Sequence, residues 1–187
     1  MAYTESKMLE LGIKAPSFTL NDILTGEPIH FPNAQSHVAS LIIFMCNHCP
    51  YVIHVLAELD RLTKEYAGKG VRIIGINSND VSKYPADSPE NMAKLALEYQ
   101  FIFPYCYDES QEVARSFDAA CTPEFYVFDQ NSMLQYRGRM DESRPGNQIP
   151  VTGSDLRDAL DCVIDQTPVS KVQYPSGGCN IKWRVRE

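Results

Sequence analysis

Residues 39–49 read Ala39-Ser40-Leu41-Ile42-Ile43-Phe44-Met45-Cys46-Asn47-His48-Cys49. An apolar run of this length, rich in β-branched and aromatic residues, predicts a strand buried on both faces. Just beyond it, Val52, Val55, Leu56, Leu59, Leu62 and Tyr66 recur at helical spacing. The pair Cys46 and Cys49 therefore falls where a buried strand over 38–45 hands over to a helix over about 50–67. Pro50 fits the first helical turn, where a missing N–H costs little, and Gly68 and Gly70 end the helix. Val71-Arg72-Ile73-Ile74-Gly75-Ile76 is a second buried strand. Strand, helix and strand at this spacing form a βαβ unit, which requires parallel strands.

Working outward, Ala15 to Leu20 alternates and reads as a strand. Asn21 to Glu27 carries turn residues, and Pro28 to Phe31 returns, giving an N-terminal β-hairpin. After the polar loop 77–87, Ser88 caps a helix with Pro89 at its first position. Met92, Leu95, Ala96 and Tyr99 form its inner face. Phe101 to Tyr107 is a short apolar piece, and Ser110 opens a short helix with Val113, Ala114 and Phe117 inward. Glu124 to Phe128 and Met133 to Arg137 flank a turn and read as an antiparallel pair. A long loop over 138–153 leads to a helix over about 154–166 and a tail over 167–187. The expectation is a single α/β domain, 1–187, with a central mixed β-sheet flanked by helices.

The composition is that of an ordinary globular chain, with 44% apolar and 22% charged residues. A net charge of -7 with no basic block argues against a nucleic-acid or anionic-membrane surface. No apolar run approaches the ~20 residues that span a bilayer. Met1 to Met8 lacks a basic n-region and an apolar h-region, which leads us to expect a cytoplasmic protein. In such a compartment, six cysteines do not imply a disulfide framework, and a Cys-x-x-Cys at a strand–helix junction reads as redox-active or metal-binding.

Cys46 is expected to attack. We expect it on an exposed rim at the helix N-terminus, where unpaired N–H groups and the helix dipole stabilise a thiolate. Cys49, about one turn on, would release a mixed disulfide. His48 would act as a nearby donor that lowers the thiol pKa further and makes the couple more oxidising. A purely stabilising disulfide is a poor reading, because a four-residue loop constrains little chain entropy. A zinc or copper site is incomplete unless Cys121 or Cys179 joins, since all four histidines lie at or before His54 and no second Cys-x-x-Cys exists. Cys121-Thr122-Pro123 precedes a strand and is a plausible site for a cis bond.

Together, Ala15 to Leu20, Cys46 to Tyr51, Gly75 to Asp80, Pro104 to Asp108, Thr122 to Phe125 and Gly178 to Trp183 resemble the thioredoxin-like superfamily. The matching branch is the peroxiredoxin-like one (alkyl hydroperoxide reductase/thiol-specific antioxidant), here with a thioredoxin-type Cys-x-x-Cys. The resemblance implies a thioredoxin-like fold with an N-terminal β-hairpin extension and a C-terminal tail. It implies a thiol–disulfide oxidoreductase, with antioxidant activity in this branch, in which Cys46 attacks, Cys49 resolves and a cis Thr122-Pro123 bond faces Cys46. The Thr122 backbone would pair, strand-like, with a bound thiol partner.

Two departures qualify it. The strand Leu41 to Met45 contains no acid where thioredoxin buries a carboxylate, so another proton acceptor or water is needed. Ile43 stands where a peroxiredoxin places threonine, which makes thiol peroxidase the alternative activity and a metal-binding or regulatory module the third.

No organic cofactor is implied. The partners would be a protein or small-molecule thiol or disulfide and a thioredoxin- or glutathione-type electron partner. Tyr51 is a candidate substrate contact. Cys121 and Cys179 are candidate accessory thiols, the latter freed to bend by Gly177-Gly178. Cys106 and Cys162 read as packing residues. Asn77, Asn79 and Asp80 lie past the carboxyl end of a strand, where α/β folds carry functional loops.

Overall fold

A computed structural model describes residues 3–33 and 37–185. Five strands form the central sheet, in the order β6 (Tyr105–Tyr107), β5 (Val71–Asn77), β4 (Ala39–Phe44), β8 (Glu124–Asp129) and β9 (Leu134–Gly138). β4, β5 and β6 run parallel, whereas β8 and β9 are antiparallel to their neighbours, so the sheet is mixed as the sequence predicts.

Strand alternation divides the core. Leu41, Ile43 and Val127 point to one face, with α1 (Pro50–Gly68), α2 (Pro89–Glu98) and α4 (Ser154–Ile164) packed over them. Ile42, Phe44 and Phe128 point to the other face, covered by α3 (Glu112–Ser116) and the hairpin of β2 (Phe18–Asn21) and β3 (Pro28–Phe31).

The helix ends follow the sequence. Ser88 Oγ accepts from the Asn91 amide at the start of α2. Gly70 sits at φ +86°, the left-handed position that stops α1 and favours glycine. The short helix starts later than expected, with Gln111 rather than Ser110 at its N-cap. Among the described residues no helix is long and apolar enough to cross a membrane.

The C-terminal segment differs from a simple tail. Gly177–Asn180 forms β10, the middle strand of a second sheet between β1 (Tyr3–Glu5) and β7 (Cys121–Thr122). Neither β1 nor β10 has the alternation that marks a strand in sequence. Residues 186 and 187 of the expected tail lie outside the described residues.

Candidate active site

β4 ends at Phe44, and the chain turns through Met45 to His48 before α1 begins at Pro50. Cys49 is the N-cap residue of α1, so the second cysteine and not the first stands at the helix N-terminus. The exposed-rim expectation for Cys46 also fails, since Cys46 is 1% exposed and Cys49 fully buried. The turn folds inward because a buried carboxylate pulls it there. Asp87 Oδ1 accepts from the amides of Asn47 (2.8 Å) and His48 (3.3 Å), while His48 Nδ1 lies 2.7 Å from Oδ2.

Asp87 is the residue that sequence reading missed. The acid absent from β4 is supplied by the loop after β5. Asn79 Nδ2 donates to Asp87 Oδ2 (2.7 Å) and Asn77 Nδ2, at the end of β5, to the Asp87 carbonyl (2.9 Å), so both asparagines hold it in place. The sole sequence hint was that loop's position past the carboxyl end of β5. The His48 ring stacks on Tyr84, with centroids 5.5 Å apart and planes within 8°. Tyr105 donates to Asn47 Oδ1 at 3.1 Å and pins the turn from below.

Opposite the turn, Thr122-Pro123 is cis. The Thr122 hydroxyl lies 3.4 Å from Cys46 Sγ, and its carbonyl lies 3.2 Å from Cys49 Sγ. The Thr122 backbone is not left open on both edges. Its strand partner is the chain's own β10, with Cys179 opposite Thr122 and Asn180 opposite Cys121. Glu124, next after Pro123, accepts from the Ala120 amide at 2.9 Å and the Cys121 amide at 3.3 Å, fixing the loop. Arg137, buried like Glu124, neutralises it at 3.0 Å. Burial nonetheless raises the Glu124 pKa, against the opposing pull of these partners.

The two site sulfurs titrate as a pair. The contact from the Cys46 thiol, then the Cys179 thiol and the amides of Val52 and Cys179, lower Cys49 to about 5 against the cost of burial. Cys46 is raised well above its ordinary value by the contact with Cys49, by burial and by the Asp87 charge, with the Thr122 hydroxyl opposing. The Thr122 carbonyl beside Cys49 favours a proton on that sulfur instead. The two shifts run in opposite directions, so the pair favours holding one proton between its two sulfurs.

The remaining predicted residues fall in different places. Tyr51 is half-buried, its ring 5.9 Å from that of Tyr3. Cys121 turns away from Cys46, toward Glu124 and the Ser176 carbonyl, and burial raises its thiol pKa. Cys106 is buried in the opposite core, pushed up to about 12 by burial. Cys162 is half-buried on α4. Cys179 joins the core around Cys46 and Cys49.

A family model described as AhpC/TSA matches residues 11–137. The chain belongs to the AhpC/TSA family. That places it among thiol redox proteins, and the matched span contains the Cys46–Cys49 turn and Thr122-Pro123. β10 lies beyond the matched span.

Solved structures are similar to this chain over essentially its whole length. An uncharacterized conserved protein from Geobacillus kaustophilus is 50% identical over 100% of this chain and 99% of its own, with a TM-score of 0.97. A hypothetical protein from Sinorhizobium meliloti is 39% identical over 98% and 100%, with a TM-score of 0.95. The peroxidoxin BcpB of Mycobacterium tuberculosis, 18% identical over 85% and 98% with a TM-score of 0.61, shares the fold. No curated protein matches the chain. In this AhpC/TSA protein the site brings together two sulfurs on one turn, with Cys179 of β10 in the same core cluster.

Proposed function

We propose that this protein is a thiol–disulfide oxidoreductase whose redox couple is Cys46 and Cys49. The observation that carries this reading is the sulfur pair itself, set against the hydroxyl and carbonyl of Thr122 at the cis Thr122-Pro123 bond, with the Asp87 carboxylate within 4.8 Å of Cys46. When the shared proton sits on Cys49, donating to the Thr122 carbonyl, Cys46 is the anion and accepts from the Thr122 hydroxyl. Cys46 then attacks one sulfur of a partner disulfide, and the first partner thiolate leaves. Cys49 attacks Cys46 in the mixed disulfide, its proton passes to a departing thiol, and the second partner sulfur is released. Two electrons move to the partner, and the Cys46–Cys49 disulfide remains. The reverse sequence oxidises a dithiol. Asp87 sets the turn and, by its charge, favours loss of charge from Cys46.

A protein or small-molecule disulfide suits this chemistry, with a thioredoxin- or glutathione-type system as the other electron partner and no organic cofactor. Cys46 is buried while Asn47 and His48 beside it are both partly exposed, so a partner would approach the sulfur past that turn. In the Cys49→Ser protein, partner disulfides accumulate on Cys46 and are found there by mass spectrometry. Adducts confined to Cys121 or Cys179 would refute the assignment of the nucleophile.

Family membership and the Thr122 hydroxyl beside Cys46 favour peroxide reduction as a second reading. Full peroxide turnover by Cys46→Ser protein would remove Cys46 from that role. The metal-binding alternative draws on Cys46, His48 and Asp87, whose donor atoms lie within 4.8 Å of one another. Stoichiometric zinc or copper in reduced protein purified without added metal would favour it.

A further inference from the structure

We propose that Cys179 is a third redox thiol, which exchanges with the Cys46–Cys49 disulfide to give a Cys49–Cys179 disulfide and a free Cys46. The inference rests on the oxidoreductase reading above and goes beyond it by giving β10 a part in the chemistry.

The geometry starts with Gly177-Gly178. A side chain at Gly178 would overlap the Thr122 carbonyl, and one at Gly177 would overlap the Tyr3 ring. Two bare positions therefore let β10 slip between β1 and β7, with Cys179 opposite Thr122 on one side and Tyr3 on the other. Thr122 is the residue whose hydroxyl and carbonyl touch Cys46 and Cys49. The register thus places Cys179 opposite the residue that touches both sulfurs, and Cys179 shares their core cluster. Cys49 is the sulfur that meets both others, contacted by the Cys46 thiol and by the thiol and amide of Cys179. An exchange in which one neighbour attacks the middle sulfur and the other departs needs this order.

The strand is also tied to the machinery. The Lys182 amide donates to Asn79 Oδ1 (2.8 Å), and its carbonyl accepts from the Asp80 amide (2.8 Å) and Gln111 Nε2 (2.9 Å). Asn79 is the residue that also holds Asp87. Lys182 Nζ lies 5.5 Å over the Tyr84 ring on which His48 stacks. The segment that carries Cys179 is therefore fastened to the same groups that set the Cys46 turn.

The exchange balances without an outside oxidant. The Cys179 sulfur gives up its proton and bonds to Cys49 Sγ, the Cys46–Cys49 bond breaks, and Cys46 leaves with the electron pair and takes up the proton. The chain stays oxidised by two electrons throughout. Burial first, then the contact with and charge of Cys49, hold the Cys179 thiol up at about 12. The Cys49 contribution vanishes once that sulfur is in a disulfide, so Cys179 becomes more reactive in the oxidised protein. Cys46 is then free to engage a second partner while the first oxidising equivalent stays stored.

The test is a disulfide map of protein oxidised with diamide, quenched in acid and read by peptide mass spectrometry. In Cys46→Ser protein the relay predicts a Cys49–Cys179 link. In oxidised wild-type protein it predicts both links and a Cys46 that iodoacetamide labels at least about tenfold more than in oxidised Cys179→Ser protein. Cys46–Cys49 as the only link in wild-type protein, with no excess label on Cys46, overturns the relay and leaves the oxidoreductase reading standing. Absence of any Cys46–Cys49 link, in wild-type and in Cys179→Ser protein alike, overturns both. The wild-type map carries the test by itself if the serine variants fail to fold, as circular dichroism would show.

Discussion

Reduction of the Cys46–Cys49 pair should make folding stability depend on pH in a way the disulfide form does not. In the folded reduced protein the pair holds one proton between a low step near 5 and a high step above the ordinary thiol value. An unfolded chain keeps both protons up to about pH 8.5. Between these limits the unfolded state binds one proton more, so stability rises with pH by about 1.4 kcal/mol per unit. The sign follows from the depressed step: its stabilisation is complete above the unfolded value and is lost as pH falls toward 5. Above about pH 8.5 the raised Cys46 step reverses the slope, because the folded state then holds the extra proton.

From pH 6 to pH 8 the reduced protein should therefore gain about 3 kcal/mol relative to the oxidised protein. Urea unfolding of both forms, side by side, isolates the pair, since other titrating groups are common to the two. The same proton count governs the potential. One proton accompanies two electrons, so the couple should shift by about 30 mV per pH unit from pH 6 to 8, and by about 59 mV below pH 5. A flat stability difference together with a 59 mV slope at neutral pH would mean that both sulfurs are protonated in the fold. The shared-proton pair would then be wrong.

Three further outcomes follow from named contacts. Asp87→Asn removes a charge that raises Cys46 while keeping an oxygen for the turn amides. The Cys46 pKa should fall and stability should drop by about 1.5–3 kcal/mol, read by alkylation against pH and by urea melts. Unchanged alkylation would show that the carboxylate does not act on the sulfur. Arg137→Met strands Glu124, since both members of this ion pair are fully buried, and should cost about 3–5 kcal/mol at pH 7 by urea unfolding. A loss below about 1 kcal/mol would mean Glu124 is held neutral without Arg137. Gly178→Ala forces β10 off the Thr122 carbonyl. It should cost about 1–3 kcal/mol and speed hydrogen exchange at the Cys179 amide, whereas native protection would show that the strand tolerates a side chain.

What the sequence made legible is local, and what it hid is long-range. Leu41 to Phe44, the stripe from Val52 to Tyr66 and the run from Val71 to Ile76 each carry their own period, so β4, α1 and β5 could be placed from neighbours alone. Asp87 could not, because in sequence it is one acid in a polar loop. Its role exists only because it lies against the amides of Asn47 and His48, forty residues away for Asn47. The burial of Cys46 follows from the same contact, which explains why a strand-end position suggested an exposed rim.

β10 shows the point most sharply. Gly177-Gly178 scores as a strand breaker, and its glycines leave no side chains to alternate. The missing Cβ atoms are what let its backbone approach Thr122 and Tyr3, so the feature that hides the strand from propensity is the one that permits it. A residue whose placement depends on such an approach has no local signature except its glycines. Cys179 is therefore best sought by asking what a glycine pair lets through, and here it admits a third sulfur to a site that the strand–helix junction had already supplied with two.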